Sequence, residues 1–153
     1  MIGFISYLVN GISLGSVYAI IALGYTMVYG IAKMLNFAHG DVIMIGAFVV
    51  FSTVSGAGLP PVIGVLISVV ACTLLGMAIE RIAYKPLRKA SKLAVLITAI
   101  GVSYFLQNVA LLIYGANTKS FTSVVTIEPL TLADGALVIS GETIVTVAAC
   151  III

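Results

Sequence analysis

The most informative polar residues in this apolar sequence are Asn36, His39 and Asp41. An amide, the only histidine of the chain and a carboxylate fall within six residues, directly before an uncharged run that covers 42–79. Ionisable groups at a membrane helix are costly and often belong to a pathway for ions or polar solutes. The alternative is an ordinary helix start, with Asn36 as the N-cap and the other two side chains solvated in the first turns. The residues alone fit both interpretations.

The other motifs of the sequence do not indicate enzymatic chemistry. No second carboxylate or nucleophile accompanies 36–41, and the patterns C-x-x-C and H-E-x-x-H do not occur. No glycine is directly followed by lysine, so the sequence holds no P-loop for ATP. One G-x-S-x-G match, 11–15, lies in an apolar helical run, whereas a hydrolase needs a strand–turn–helix elbow there. We therefore expect no catalytic residues, no metal site and no cofactor bound by this chain itself.

One face of the first predicted helix carries a stripe of tyrosines. Separations of 4, 7, 7 and 4 residues place its members on a single face, because each helical residue turns by about 100°. Tyrosines at this depth need hydrogen-bond partners, so we expect the stripe to face the helix bundle or a wet cavity and not lipid. Helix packing and pathway lining both fit, and Tyr18 and Tyr25 are the pathway candidates. The stripe consists of Tyr7, Gly11, Tyr18, Tyr25 and Tyr29.

Polar stripes also mark the third and fourth predicted helices. In the third, Ser68, Cys72 and Gly76 repeat at a spacing of four residues and lead to Glu80, which is typical of a packing face. In the fourth, Ser103 and Gln107 share one face. Polar side chains of this kind usually hydrogen-bond to a neighbouring helix, and a hydrophilic pathway lining fits as well. Both residues of the fourth helix are therefore further pathway candidates.

The composition excludes a water-soluble protein. Of the 153 residues, 62% are hydrophobic and 8% are charged, and the mean hydropathy is +1.30, whereas a soluble domain carries about 25% charged residues. The stretches 1–32, 42–79 and 93–118 contain no charge, and each exceeds the ~20 residues that cross a hydrocarbon layer. The sequence therefore predicts an all-α, polytopic membrane helical bundle, and it excludes soluble enzymes and nucleic-acid-binding proteins.

We expect four complete transmembrane helices and a shortened fifth within a single domain, 1–153. A turn rich in Gly and Pro at 55–61 divides the second uncharged run into a helical hairpin. The last helix has about half the length of a span, and a chain that ended inside hydrocarbon would leave its last carbonyls unpaired. We therefore expect the sequence to be the N-terminal part of a longer protein. The predicted helices cover about 4–32, 35–54, 62–79, 93–114 and 143–153.

A cluster of positive charge sets the expected orientation. Five basic residues and one acid, Glu80, fall in 80–92, and the positive-inside rule places this loop in the cytoplasm. The segment 115–142 is then an external loop. The N-terminus lies outside if 35–54 crosses the membrane, and inside if that segment is re-entrant. The basic loop fits two partners, anionic membrane lipid or a cytoplasmic protein. Its basic residues are Arg81, Lys85, Arg88, Lys89 and Lys92.

Six segments of the sequence form a familiar pattern, namely 15–26, 35–41, 44–48, 80–88, 96–103 and 106–108. They resemble the LivH-type permease family of bacterial branched-chain amino acid ABC importers, in the family's order and spacing, through nearly the whole chain. The resemblance implies a multi-pass permease subunit of the bacterial inner membrane that moves leucine, isoleucine or valine and performs no chemistry itself. It also implies that the family's C-terminal half, with the loop that receives the ATPase stroke, is absent.

The resemblance also implies a set of partners. The permease would pair with a second, LivM-type permease, two cytoplasmic ATPase subunits would bind the ATP, and a periplasmic substrate-binding protein would deliver the amino acid. Glu80, Arg81, Lys85 and Arg88 would then lie on the ATPase side. The alternatives are a permease for urea, other amides or other amino acids, and a non-transporting membrane scaffold. No nucleic-acid partner is expected.

Overall fold

The computed structural model describes residues 2–33, 35–117, 119, 130–132 and 137–153. Within these residues the chain is helical apart from short connections and one pair of strands. Four of the described helices are long and apolar enough to cross a membrane, which confirms the predicted all-α, polytopic bundle. The helices are α1 (Ile2–Ala32), α2 (His39–Phe51), α3 (Pro61–Ile79), α4 (Lys92–Tyr114) and α5 (Gly141–Ile152).

Two helices continue past their regular part. α2 runs on as a π-helical turn at Ser52–Gly56, and α3 runs on as a π-helical turn at Glu80–Tyr84 and a 3-10 turn at Lys85–Leu87. Residues 80–87, which the sequence predicts as part of a loop, are therefore helical. The helix persists because the Tyr84 side chain is buried between the end of α3 and the start of α4. Only 88–91 connect the two helices.

The described residues form two compact units, and the single domain expected from the sequence stays a prediction. One unit is Met1–Met27 with Ser123–Ile153, and the other is Val28–Thr122. In the first unit, α5 contacts α1 through a hydrogen bond of 3.1 Å from Thr143 Oγ1 to Ser13 Oγ.

A small antiparallel sheet precedes α5 in the first unit. Its strands are β1 (Leu130–Leu132) and β2 (Leu137–Ile139), and Thr131 lies opposite Val138. The sequence does not predict the sheet, because three-residue strands are too short to show an alternating pattern. Much of the predicted external loop 115–142 lies outside the described residues, namely 118, 120–129 and 133–136.

In the second unit α2 packs closely on α3. Ser68 Oγ donates to the carbonyl of Gly46 at 2.9 Å, and Cys72 Sγ donates to the carbonyl of Val42 at 3.5 Å. These contacts confirm the predicted packing stripe on α3 for its first two members. Gly76, its third member, faces open space, since nothing lies within 4 Å of an added Cβ there.

The start of α2 differs from the predicted helix start. Residues 35–38 are not helical, and α2 begins at His39 with Ala38 at the N-cap position. Asn36 is therefore not the N-cap. Its Oδ1 instead accepts from the backbone N of Ala38, two residues further on, at 3.1 Å, which forms an Asx turn.

Candidate functional site

Asp41 lies in the first turn of α2 with its side chain only 8% exposed. Ser103 Oγ donates to Oδ2 of this carboxylate, and Gln107 Nε2 donates to Oδ1 at 3.0 Å. Both donors come from α4, where a spacing of four residues puts them on one face. We call Asp41, Ser103 and Gln107 the carboxylate cluster. The interpretation of Asp41 as a solvated helix-start residue is therefore wrong.

The carboxylate cluster lies beside the middle of α4. Ser103 is eleven residues from Lys92 and eleven from Tyr114, the two ends of that helix, which is about 16 Å in each direction. Further along α2, Phe48 stacks on Tyr114 with ring centroids 4.3 Å apart, and Ser52 Oγ donates to Tyr114 OH at 3.1 Å. α2 thus begins at the centre of α4 and runs along its second half in the same direction.

The electrostatics of the cluster depend on a carboxylate that is buried and held by hydrogen bonds. A buried carboxylate is tolerated only when it is hydrogen-bonded or paired, and both donors from α4 are neutral. The N-terminal end of α2 adds a favourable dipole. Gln107 is itself exposed, whereas Asp41 is buried and the neighbouring His39 is half-buried. A cationic group that reached Gln107 would therefore meet a carboxylate directly behind it.

A second polar contact joins the segment before α2 to the end of α3. Tyr84 OH donates to Asn36 Oδ1 at 2.8 Å, and the Tyr84 ring packs with Val95 and Ala99 of α4. The sequence interpretation gave Tyr84 no polar partner. Spacing could have indicated one, because Tyr84 continues the four-residue series Ser68, Cys72, Gly76 and Glu80.

Tyr18 and Tyr25 belong to the first compact unit, and the carboxylate cluster belongs to the second. Tyr25 is half-buried and Tyr18 is 64% exposed. The orientation of the stripe toward the bundle or a wet cavity therefore stays a prediction. In the same unit, α5 contacts α1 at Ser13, which lies about 200° around the helix from Gly11 of the stripe.

The residues expected on the ATPase side lie at the end of α3. Arg88 Nη2 donates to Glu80 Oε1 at 2.5 Å, with the two side chains 67% and 47% exposed. Such an exposed ion pair stabilises the fold by at most about 1 kcal/mol. Arg81 and Lys85 are also exposed. These four side chains form an accessible surface of the same unit that holds the carboxylate cluster.

The arrangement offers binding chemistry for a small zwitterion. The Asp41 carboxylate can accept from an ammonium group, and the Gln107 amide can turn a donor toward a carboxylate. Among the residues that the structure describes, no group of three or more metal-ligating side chains occurs.

Comparison with known proteins adds a family. Residues 7–153 match the model of the permease component of branched-chain amino acid transport systems. The chain is 44% identical over 125 residues to the high-affinity branched-chain amino acid transport system permease protein BraD of Pseudomonas aeruginosa, an alignment that covers 76% of this chain and 41% of the relative.

Two further relatives carry the name high-affinity branched-chain amino acid transport system permease protein LivH. Those of Salmonella typhimurium and Escherichia coli K12 are each 42% identical over 128 residues, which is 78% of this chain and 42% of the relative. The chain thus spans about two fifths of the length of the relatives it matches. No solved structure matches it significantly.

Proposed function

The chain belongs to the family of permease components of branched-chain amino acid transport systems, and we propose that the whole protein is a permease subunit of an ATP-binding cassette importer for leucine, isoleucine and valine. Family membership and four helices that can cross a bilayer make it a multi-pass protein of the bacterial inner membrane. It is a transport subunit and not an enzyme. In our proposal ATP is bound by two cytoplasmic ATPase subunits, and a LivM-type permease and a periplasmic binding protein complete the importer.

We assign the carboxylate cluster to the substrate pathway. The observation that carries this assignment is a buried carboxylate beside the centre of α4, at the start of a helix that follows a non-helical segment. Transporters commonly bind substrates near the bilayer midplane, at helices that are interrupted there. A carboxylate is costly at this depth, so its presence favours a function beyond packing.

The substrate class fits the chemistry of the cluster. A branched-chain amino acid has an ammonium group, a carboxylate and an aliphatic side chain. In the proposed complex Asp41 accepts from the ammonium group, and Ser103 and Gln107 exchange their bonds to Asp41 for bonds to the substrate. Asn36 and His39 lie on the approach to this position along the same segment. Tyr18 and Tyr25 are proposed pathway residues on the basis of their spacing alone.

Leucine uptake tests the assignment. The full-length protein and its partner subunits would be expressed in cells without other leucine importers, and uptake of radiolabelled leucine would be measured at equal membrane levels. We expect Asp41→Asn and Gln107→Leu to reduce uptake at least about tenfold, since each removes a hydrogen bond to a charged group. Asn108→Leu is the matched control, because the Asn108 amide donates to the carbonyl of Tyr104 in its own helix at 2.7 Å.

The same assay separates the alternatives. Full uptake by the Asp41→Asn and Gln107→Leu variants would remove the cluster from the pathway. Uptake of labelled urea in place of leucine would indicate an amide permease. A chain that takes up neither solute and captures no P-loop protein when it is purified from membranes would be a scaffold, and the transport proposal would be withdrawn.

A further inference from the structure

The second compact unit holds a large groove on the side where its helices connect. The groove has a volume of about 1030 Å3 and is bounded by the end of α1, the end of α3 and the start of α4. Its walls are largely aliphatic. They include Val28, Ile31, Leu35, Ile79, Val95 and Leu96.

Positive charge is concentrated in the same groove. Three cations, Lys33, Arg88 and Lys92, and one carboxylate, Glu80, line it, which leaves a net charge of +2. Glu80 is bound to Arg88 at 2.5 Å. Among the described residues neither lysine forms an ion pair. Two uncompensated ammonium groups therefore lie beside aliphatic walls.

The backbone fixes the position of one of these lysines. Lys33 ends α1 with a left-handed φ of 54°, and its backbone N donates to the carbonyl of Tyr29 at 2.8 Å. A residue with a side chain is uncommon in this conformation. The turn brings the Lys33 side chain to the groove from the α1 side, while Lys92 reaches it from α4.

We propose that this groove binds one anionic phospholipid, with its phosphate at Lys33 and Lys92 and its acyl chains along the aliphatic walls. Basic pockets between membrane helices on the cytoplasmic side suit anionic headgroups, and that leaflet carries anionic lipid. A lipid in this position supports the contact of Asn36 with Tyr84, since both residues line the groove. The site rests on membrane insertion and is independent of the transported solute.

The test uses local fluorescence quenching in the full-length protein, assembled with its partner subunits. Residues 1–153 contain no tryptophan, so Leu87→Trp places a reporter on the groove wall once any tryptophans elsewhere are replaced by phenylalanine. Leu112→Trp, at a position that is 85% exposed and outside the groove, reports on the surrounding bilayer. Each reporter is placed in vesicles that contain brominated phosphatidylglycerol or brominated phosphatidylcholine.

We expect the Leu87→Trp reporter to favour phosphatidylglycerol over phosphatidylcholine at least about fivefold, and the Leu112→Trp reporter to show no preference. Lys92→Gln should lower the preference about fivefold, which corresponds to the loss of one basic residue near an anionic lipid. Lys33→Gln should do the same from the opposite wall. Lys89→Gln is the matched control, because Lys89 is exposed, carries the same charge and does not line the groove.

Three results would overturn the proposal. Equal quenching of the Leu87→Trp reporter by both lipids would show that the groove does not select charge. Absence of quenching by either lipid would show that protein fills it, whether the rest of the chain or a partner subunit. An equal loss of preference in Lys89→Gln and Lys92→Gln would reveal a diffuse attraction without a site. If the lysine variants retain leucine uptake, a failure of the lipid proposal leaves the proposed transport function intact.

Discussion

At the residue scale, the burial of the Asp41 carboxylate depends on hydrogen bonds from two side chains of another helix. The carboxylate is desolvated, and each of its oxygens has one donor on α4. When a buried carboxylate loses a hydrogen-bond donor, its desolvation is no longer fully compensated. The resulting loss of folding free energy exceeds the net contribution of an ordinary hydrogen bond. The carboxylate cluster therefore couples the start of α2 to the centre of α4.

The first prediction concerns one of these donors. Ser103→Ala removes the hydroxyl that reaches Asp41, and we expect the free energy of unfolding to fall by about 1.5–3 kcal/mol. The measurement is reversible unfolding of the full-length protein in mixed detergent micelles, followed by helicity.

Thr98→Val is the matched control for Ser103→Ala. Its hydroxyl lies on the same helix, but it donates to the carbonyl of Ala94 one turn earlier at 2.9 Å. We expect Thr98→Val to change the unfolding free energy by less than about 0.5 kcal/mol. Equal losses in the two variants would contradict the role assigned to the Ser103 hydroxyl.

The residue types of the cluster could be recognised in the sequence, but their pairing could not. Asp41 is conspicuous as a carboxylate at an apolar run, and Ser103 and Gln107 are conspicuous by their common face. A single sequence does not indicate which turn of α4 lies beside α2, because apolar residues occur on every face of both helices. The partnership of Asn36 with Tyr84 was hidden for the same reason.

At the element scale, α2 and α3 pack closely because glycines let them approach. A Cβ at Gly46 would lie 2.9 Å from Cys72 Sγ and 3.1 Å from Ser68 Oγ, and one at Gly64 would lie 2.8 Å from Thr53 Oγ1. Small residues at a helix contact allow backbones to come together in a membrane, where the hydrophobic effect does not drive helices toward each other. These contacts fix the register of the hairpin.

The second prediction compares two helical glycines. Gly46→Ala should lower the unfolding free energy by about 1–3 kcal/mol, because the added methyl group meets Cys72 and Ser68. Gly101→Ala should raise it by up to about 1 kcal/mol, since nothing lies within 4 Å of that position and alanine favours the helix. The readout is again unfolding in mixed micelles.

A double variant tests the steric explanation of the Gly46→Ala effect. Cys72→Ala removes the sulfur nearest to the added methyl group, so the combination with Gly46→Ala should be less destabilised than the sum of the single variants. Strict additivity would mean that the methyl group does not meet Cys72, and the close packing of α2 on α3 would then be in error.

Helix positions could be predicted well from uncharged runs and turn residues, and helix ends less well. The connection at 57–60, inside the predicted turn, and the start of α3 at Pro61 follow from Gly and Pro chemistry, which acts locally. The helical continuation of α3 through 80–87 depends on the burial of Tyr84 against α4, a tertiary contact that charge patterning conceals. The charged residues in this stretch are typical of a loop, although Glu80 and Arg88 form an ion pair about two helical turns apart.

At the scale of the whole molecule, composition alone predicts a multi-pass bundle, while the side on which each connection lies depends on charge. The positive-inside rule places 80–92 in the cytoplasm. In the structure Lys33, at the end of α1, lines the same groove as Arg88 and Lys92. The end of α1 and the start of α4 should therefore meet the same aqueous phase, which favours a chain that crosses the membrane between 35 and 54 over a re-entrant segment.

The third prediction tests this orientation by cysteine labelling in a full-length variant from which Cys72, Cys150 and any cysteines elsewhere have been removed. A membrane-impermeant maleimide should label Lys33→Cys and Lys89→Cys only in inside-out vesicles, and Ala57→Cys and Asn117→Cys only in intact spheroplasts, since all four positions are exposed. A re-entrant 35–54 segment keeps Ala57→Cys external but moves Lys33→Cys to the outside. Labelling of Lys33→Cys in spheroplasts would therefore contradict the crossing. It would also separate Lys33 from the leaflet of Lys92, so the lipid proposed to bridge them could not bind there.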